Sequence, residues 1–283
     1  MDLRKLQKIE KAILEKVVEI CNYLNIQYFL VSGSMLGAVR YEGFIPWDDD
    51  IDIAMFRPDY DRFLQCAQDL LPEYYFLQTH YTDPEYFCSF AKIRDCRTTF
   101  VEKSMMHKRI NHGVYIDIFP LDGFPMKSYE RAIFLINNKI YNLRLSRDNY
   151  SPKRSLKWRL GAFVASILCP SLEKAWQKRD ALYRSIPVET AEMISNLGNA
   201  WGKKEIMERS VFRTGIVKSF EGLEVTIPID YDIYLTKLYG DYMTPPSEEN
   251  RIPHHYCLLC DLENSYQSNL LRIQELVIKE MQL

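Results

Sequence analysis

The chain has 283 residues, is 47% apolar and carries a formal net charge of −2, so it can form one large domain or two modest ones around an ordinary core. A charge so near zero excludes a nucleic-acid binder that works by bulk attraction. Seven cysteines, an odd count without a regular framework, point to reduced thiols in a cytoplasmic setting.

Leu3, Leu6, Ile9, Ile13, Val17, Ile20 and Leu24 recur at helical spacing, so the chain opens with an amphipathic helix. That segment is charged throughout and has no signal-peptide core. "IQYFLVS" is β-branched and aromatic and predicts a strand ending at Ser32. "SMLGAVR" suits a short helix behind Gly33, and Gly43 and Pro46 punctuate a turn. The next strand is expected over 50–55, and Pro58 opens a helix. "YYFLQT", "YFCSFAKIR" and "GVYIDIFP" read as further strands. Helical stretches follow near 129–147 and 156–183, rich in Lys and Arg. Short strands such as "LEVTIPI", turns rich in Pro and charge, and a last helix from about Asp261 complete the chain. The fold class expected is α/β (α+β): a mixed-sheet core over 1–125, and a mostly helical region over 126–283 packed on it.

Four of the five residues from Asp48 to Asp52 are acidic. Side chains at i, i+2 and i+4 of a strand share a face, so Asp48, Asp50 and Asp52 are expected to point together, about 6–7 Å apart. Such a face is costly unless a cation neutralises it. Mg²⁺ suits an all-oxygen site completed by substrate phosphates, with Mn²⁺ as the alternative. A solvated acidic turn is the competing reading. Asp117 weighs against it, because this carboxylate sits inside the apolar run "GVYIDIFP". If the two strands are neighbours, Asp117 completes an acidic triad in which two carboxylates hold metal and a third accepts a proton. Gly33 and Ser34 add a phosphate-binding turn at a helix start.

"GSMLGAVRYEGFIPWDDDIDI" resembles the signature of the LicD family, whose eukaryotic relatives include fukutin and fukutin-related protein. "FAKIRD", "YIDIFPLDG" and "LYGDYMTPPSEENRIPHH" extend the resemblance over most of the chain. The resemblance implies a nucleotidyltransferase-like core, shared distantly with DNA polymerase beta. It also implies transfer of a phospho-group from a CDP-activated donor to a glycan hydroxyl. In bacterial members this is typically phosphocholine from CDP-choline, passed to teichoic acid, lipopolysaccharide or another surface glycan. By position, the Gly-Ser pair is Gly33 and Ser34, the metal-binding pair is Asp50 and Asp52, and the later acidic residue is Asp117. The segment "RYEGFIPW" lengthens the spacing found in the wider superfamily and leaves Asp48 as a rival metal ligand. A donor of another kind (CDP-ribitol or CDP-glycerol) and an inactive glycan-binding scaffold are the alternatives.

Lys92 and Arg94 alternate onto one strand face and either hold donor phosphates or form an exposed edge. Arg40 either pairs with Asp48 or reaches phosphate. Trp47, with Tyr41, Phe44, Tyr115 and Phe119, is a candidate wall for choline, which is recognised mainly through aromatic faces. Arg251, His254 and His255 match the C-terminal motif and are expected to contact phosphate or acceptor. Cys257 and Cys260 lack a second pair at zinc spacing and suit a buried strand or helix better. "SPKRSLKWRLGAFVASILCP" reads first as a core helix with a solvated start. Its basic-plus-apolar pattern also fits a peripheral contact with an anionic membrane, where a lipid-linked glycan acceptor would lie. Its apolar run, 160–169, is far short of the roughly 20 residues that span a bilayer.

Overall fold

The computed structural model describes residues 2–149, 154–253 and 255–282. Helix α1 (Leu3–Tyr23) is capped by Asp2, whose side chain accepts from the Lys5 N–H. Its stripe of Leu6, Ile13, Leu14, Val17 and Cys21 is buried against the sheet. Strand β1 (Phe29–Leu30) stops two residues earlier than its sequence suggests, because Ser32 already opens α2 (Ser32–Arg40). Strand β2 (Asp52–Phe56) leads into α3 (Arg57–Leu70), with Pro58 in its first turn.

Strands β3 (Tyr75–Gln78), β4 (Ala91–Asp95) and β5 (Thr99–Glu102) follow, then the long β6 (Val114–Phe124). Helices α4 (Ser128–Ser146), α5 (Leu156–Leu168) and α6 (Leu172–Tyr183) make up most of the helical region. The stretch expected as one helix over 156–183 is two, since Pro170 ends the first and Ser171 caps the second. Strands β7 (Met193–Ser195) and β8 (Ile206–Glu208) and the hairpin β9 (Gly215–Phe220) and β10 (Leu223–Pro228) precede α7 (Tyr231–Tyr239). The chain then forms β11 (Cys257–Asp261) and α8 (Leu270–Met281). The last helix therefore starts later than expected, and the Cys257/Cys260 segment is a strand paired with β5.

The main sheet has the order β1-β2-β6-β4-β3, with β7 and β8 continuing from β6. Among the described residues only β2 and β6 pair in parallel, so the fold is a mixed α/β one, as expected. Their register sets Asp52 directly opposite Asp117. The buried α3 residue Arg57 makes a two-pronged ion pair with Asp122, further along β6, and locks that helix to the sheet.

Helix α5 corrects the core-helix reading. Of its residues only Ala162 and Ala165 are buried. Leu156, Leu160, Phe163, Val164, Ile167 and Leu168 all face outward. The small residues pack inward because α4 crosses closely there: a side chain added at Gly161 would meet Leu143 at 3.3 Å.

A buried polar chain ties the C-terminal region to the start of α2. Ser32 adopts φ 51°, a conformation costly for a residue with a side chain. Its N–H donates to the Tyr234 hydroxyl, which donates to Glu205 at 2.8 Å, and its own hydroxyl accepts from Asn199. Burial pushes the Glu205 carboxyl up to about 7, against the opposing effects of the Tyr234 hydrogen bond and the Lys237 charge. A raised carboxyl stabilises the fold fully below its unfolded value and loses that contribution as pH rises through 7. Glu205→Gln is therefore expected to raise the melting temperature by several degrees at pH 8, where ionisation costs on the order of 3 kcal/mol, and to change it little at pH 5. Equal shifts at both pH values would contradict this account.

Candidate functional site

The acidic residues converge, but not by strand alternation. Strand β2 begins only at Asp52, so Asp48 and Asp50 lie in the turn before it, which corrects the shared-face expectation. The turn is held from outside: the Gln7 side chain donates to the Asp48 carbonyl at 2.9 Å, and the Asp48 N–H donates to the Ile45 carbonyl. This bend brings all four aspartates of the segment to one place without placing three on a single pleat.

The start of α2 meets this turn. A side chain at Gly33 would lie 2.6 Å from a carboxylate oxygen of Asp48, so only glycine allows that approach. Ser34 does not leave its hydroxyl for a ligand alone; the hydroxyl accepts from the Asp52 N–H at 2.8 Å and pins the start of β2. The Gly33-Ser34 pair thus builds the acidic turn as well as facing it.

The convergence has an electrostatic consequence. Burial first, then Asp50, Asp117 and Asp48, push the Asp52 carboxyl well above its ordinary value. Asp48 is raised by burial and by Asp50 and Asp49. Asp117 is raised by burial, offset by Lys92, whose ammonium lies 2.8 Å away. Glu10, on the buried face of α1, is raised by burial and by Asp50, Asp49 and Asp48, and its Oε2 is buried without a hydrogen-bond partner. Carboxylates held so close resist ionising together unless a cation joins them.

Ligand atoms of Asp49, Asp50 and His255 lie within 4.8 Å of one another and form a group able to hold a metal ion. Asp50 was anticipated as a ligand, whereas Asp49 was not and His255 was expected only as a phosphate or acceptor contact. Asp48, Asp52 and Asp117 lie beside this group rather than in it. The oxygen-rich donor set, the mutually raised carboxyls and the unpartnered Glu10 oxygen all fit a divalent cation. His255 donates its backbone N–H to Asp49, and its ring lies 3.3 Å from the same carboxylate. Burial alone would lower its pKa; the Asp49 hydrogen bond and the charges of Asp50 and Glu102 outweigh burial and hold it at about 10. With no metal bound it is therefore a cation at neutral pH, and it would have to give up that proton to ligate an ion.

Lys92 and Arg94 share a face, but the strand is central and both are buried, not at an exposed edge. Arg94 donates to Gln78, to the Gly113 carbonyl and to Glu102. With its donors committed inside the protein, Arg94 braces the sheet and does not reach phosphate, which corrects that expectation. Lys92 bridges Asp117 and Glu102 and lies 3.2 Å from the Tyr115 ring centre. Arg40 donates to the Tyr242 carbonyl at 2.6 Å and stacks on Tyr41. Trp47 is half-buried, with its face toward the Arg251 guanidinium at 5.3 Å and its edge toward Tyr41. Phe44 packs on Phe220 and Phe119 on Phe90, both in the core, and Tyr115 is covered by Lys92 and Arg94, so these three do not line a ligand wall. His254 lies outside the described residues.

Sequence reading missed Glu10, Asp49, Glu102 and the aromatic pair Trp201 and Tyr239, the latter close enough to feel Asp52, Asp48 and Asp50. Glu10 did leave a signal: it occupies the i, i+3, i+7 stripe of Leu3, Leu6, Ile13 and Val17, where a carboxylate needs a reason.

Residues 25–155 match the family model for the nucleotidyltransferase domain of LicD, fukutin and fukutin-related protein. The chain is 32% identical over 262 residues to the lipopolysaccharide cholinephosphotransferase LicD of Haemophilus influenzae, covering 90% of this chain and 96% of that one. It is also 30% identical over 133 residues to an uncharacterized protein of Rickettsia prowazekii, of which it covers 44%. The signature segment, the Asp52–Asp117 register and a full-length likeness agree: the chain belongs to the LicD family.

Proposed function

We propose that this protein is a divalent-cation-dependent transferase that moves phosphocholine from CDP-choline to a hydroxyl of a cell-surface glycan, releasing CMP. The observation that carries this reading is the buried acidic centre, where Asp52 faces Asp117 across parallel strands beside the Asp49–Asp50–His255 group. The full-length likeness to a lipopolysaccharide cholinephosphotransferase supports the group transferred and the acceptor class. Asp49 and Asp50 would hold Mg²⁺ or Mn²⁺, with Asp52 beside them as a further carboxylate to share its charge. That ion would neutralise the donor phosphates and orient them for displacement.

The acceptor hydroxyl attacks the phosphorus that bears choline, the bond from that phosphorus to CMP breaks, and the proton leaves the hydroxyl. In this reading Asp117 takes it. Lys92 at 2.8 Å opposes the effect of burial and favours the ionised carboxylate a base must be. Glu102 keeps Lys92 in place: burial would raise its carboxyl, but Lys92, Arg94 and His255 hold it at about 2. Aromatic edges and faces near the acids come from Tyr41 with Trp47 and from Trp201 with Tyr239. Trp47 already faces the Arg251 guanidinium, a contact that supports a role for this ring toward a cation such as choline.

No helix among the described residues is long and apolar enough to cross a membrane. The outward row of Leu156, Leu160, Phe163, Val164, Ile167 and Leu168, with exposed Lys157 and Arg159 at one end, instead suits lying on an anionic surface. A glycan built on a lipid would be met there.

Three measurements test these roles. Incubation with CDP-choline, CDP-ribitol and CDP-glycerol plus magnesium is expected to release CMP fastest from CDP-choline; turnover of CDP-ribitol alone would overturn the donor and leave the family standing. Asp50→Asn and Asp52→Asn are each expected to cut transfer at least a hundredfold while raising the melting temperature of the metal-free protein, and Asp117→Asn to keep donor binding yet lose transfer. Near-normal turnover in either metal variant would refute the assignment. Flotation with anionic liposomes should carry the wild type and not a Leu160→Glu, Phe163→Glu, Ile167→Glu variant; absence of wild-type binding at low salt would sink the membrane contact.

A further inference from the structure

Three arginines are buried among the described residues: Arg57, Arg94 and Arg179. Arg57 faces Asp122 and Arg94 faces Glu102, each within ion-pair distance. Arg179, on α6 and 6% exposed, has no carboxylate within that distance among the described residues. Its guanidinium donates only to neutral acceptors, the Asn142 side chain at 3.1 Å and the Phe87 carbonyl. A guanidinium taken from water without a counter-charge is expensive, so its retention calls for an anion that arrives from outside.

The space for one is present. Arg179 lines a cavity of about 250 Å³ between α4, α6 and the segment before β4, with Ser89, Phe90, Asn142, Ser146 and Asn149 in its wall; Glu85 also lies in that wall, where its carboxylate accepts from the Arg109 N–H. This is too small for a nucleotide and suits a single small group such as a phosphate or carboxylate. Asn142 donates its amide to Asn138 and Ser146 its hydroxyl to the Asn142 carbonyl, so the forked guanidinium is the main donor an oxyanion would meet. Gly198 is fitted closely to this wall: a side chain there would meet the Ser89 hydroxyl at 2.7 Å.

The cavity shares a wall with the acidic centre. The Phe90 ring packs on Phe119 of β6 with centroids 4.4 Å apart, and it lies 5.5 Å from the Lys92 ammonium, which is 2.8 Å from Asp117. A molecule held by Arg179 is thus separated by the Phe90 and Lys92 side chains from Asp117, the group assigned to take the acceptor's proton.

We propose that the Arg179 cavity is an oxyanion subsite that anchors a phosphate or carboxylate carried by the acceptor glycan. Assignment to the acceptor rests on the transferase reading above; the anion site itself does not. The consequence for specificity is that an acidic or phosphorylated glycan is preferred to a neutral one.

Calorimetric titration of the protein, without donor and without divalent metal, separates the sources. Glucose 6-phosphate is the glycan-borne probe and inorganic phosphate the free one. Wild type is expected to bind both, glucose 6-phosphate at least threefold more tightly. Arg179→Met is expected to weaken both at least tenfold. Asn142→Asp, nearly isosteric, places a carboxylate against Arg179 and is expected to abolish binding while raising the melting temperature, so a folding defect cannot imitate the result. Equal affinity for the two probes would overturn the acceptor assignment. No saturable binding in the wild type, or undiminished binding in both variants, would overturn the subsite. CMP release by the same preparations keeps the two readings apart: turnover of CDP-choline without anion binding removes only the subsite, and anion binding without use of any CDP-alcohol removes only the transferase.

Discussion

Repulsion among buried carboxylates is the constraint around which this structure is organised. Asp52 and Asp117 face each other across the parallel pair of the main sheet, and Asp48, Asp49, Asp50 and Glu10 close in from the turn and from α1. In water such a set would spread apart. Here the backbone forbids it, and the compensations are specific: Lys92 on Asp117, protonated His255 on Asp49, and carboxyls raised toward their neutral forms. A cation is the remaining compensation, and substrate phosphates bring the charge that a cation then needs.

The scaffold around the acids serves to keep them from relaxing. Ser34 fixes the Asp52 N–H, Gly33 admits the Asp48 carboxylate, and Gln7 holds the Asp48 carbonyl. Ser32 is kept in a strained conformation by Tyr234, Glu205 and Asn199, all from the last third of the chain. The centre is therefore assembled from three distant stretches, and a fragment ending after β6 would lack both the strap on α2 and the His255 pair to Asp49.

The helical region does more than cover the sheet. Its α5 turns an apolar row outward, and its α6 turns a buried arginine toward a cavity walled by Phe90, which in turn lies near Lys92. Both features are costly in a free protein. Both become favourable if the acceptor is presented at a membrane and carries negative charge, so the two surfaces point to the same side of the reaction.

Much of this was legible in the residues. Periodicity marked α1, Pro58 marked the start of α3, and Asp117 within an apolar run announced a buried carboxylate. These are local properties, set by side-chain spacing and by the backbone preferences of Gly and Pro. Others were beyond local reading. Whether Asp48 and Asp50 sit on a strand depends on Gln7 and His255, which hold the turn from 41 and 206 residues away. That Lys92 and Arg94 are interior rather than exposed follows from β4 being flanked on both sides. The α5 pattern fits a core helix and a surface helix alike, because hydrophobicity records that a face is apolar and not what covers it. The sequence by itself determined the elements, the family and the acidic residues; tertiary structure alone decided which charges meet, since Coulomb interaction depends on distance in space and the chain encodes only distance along itself.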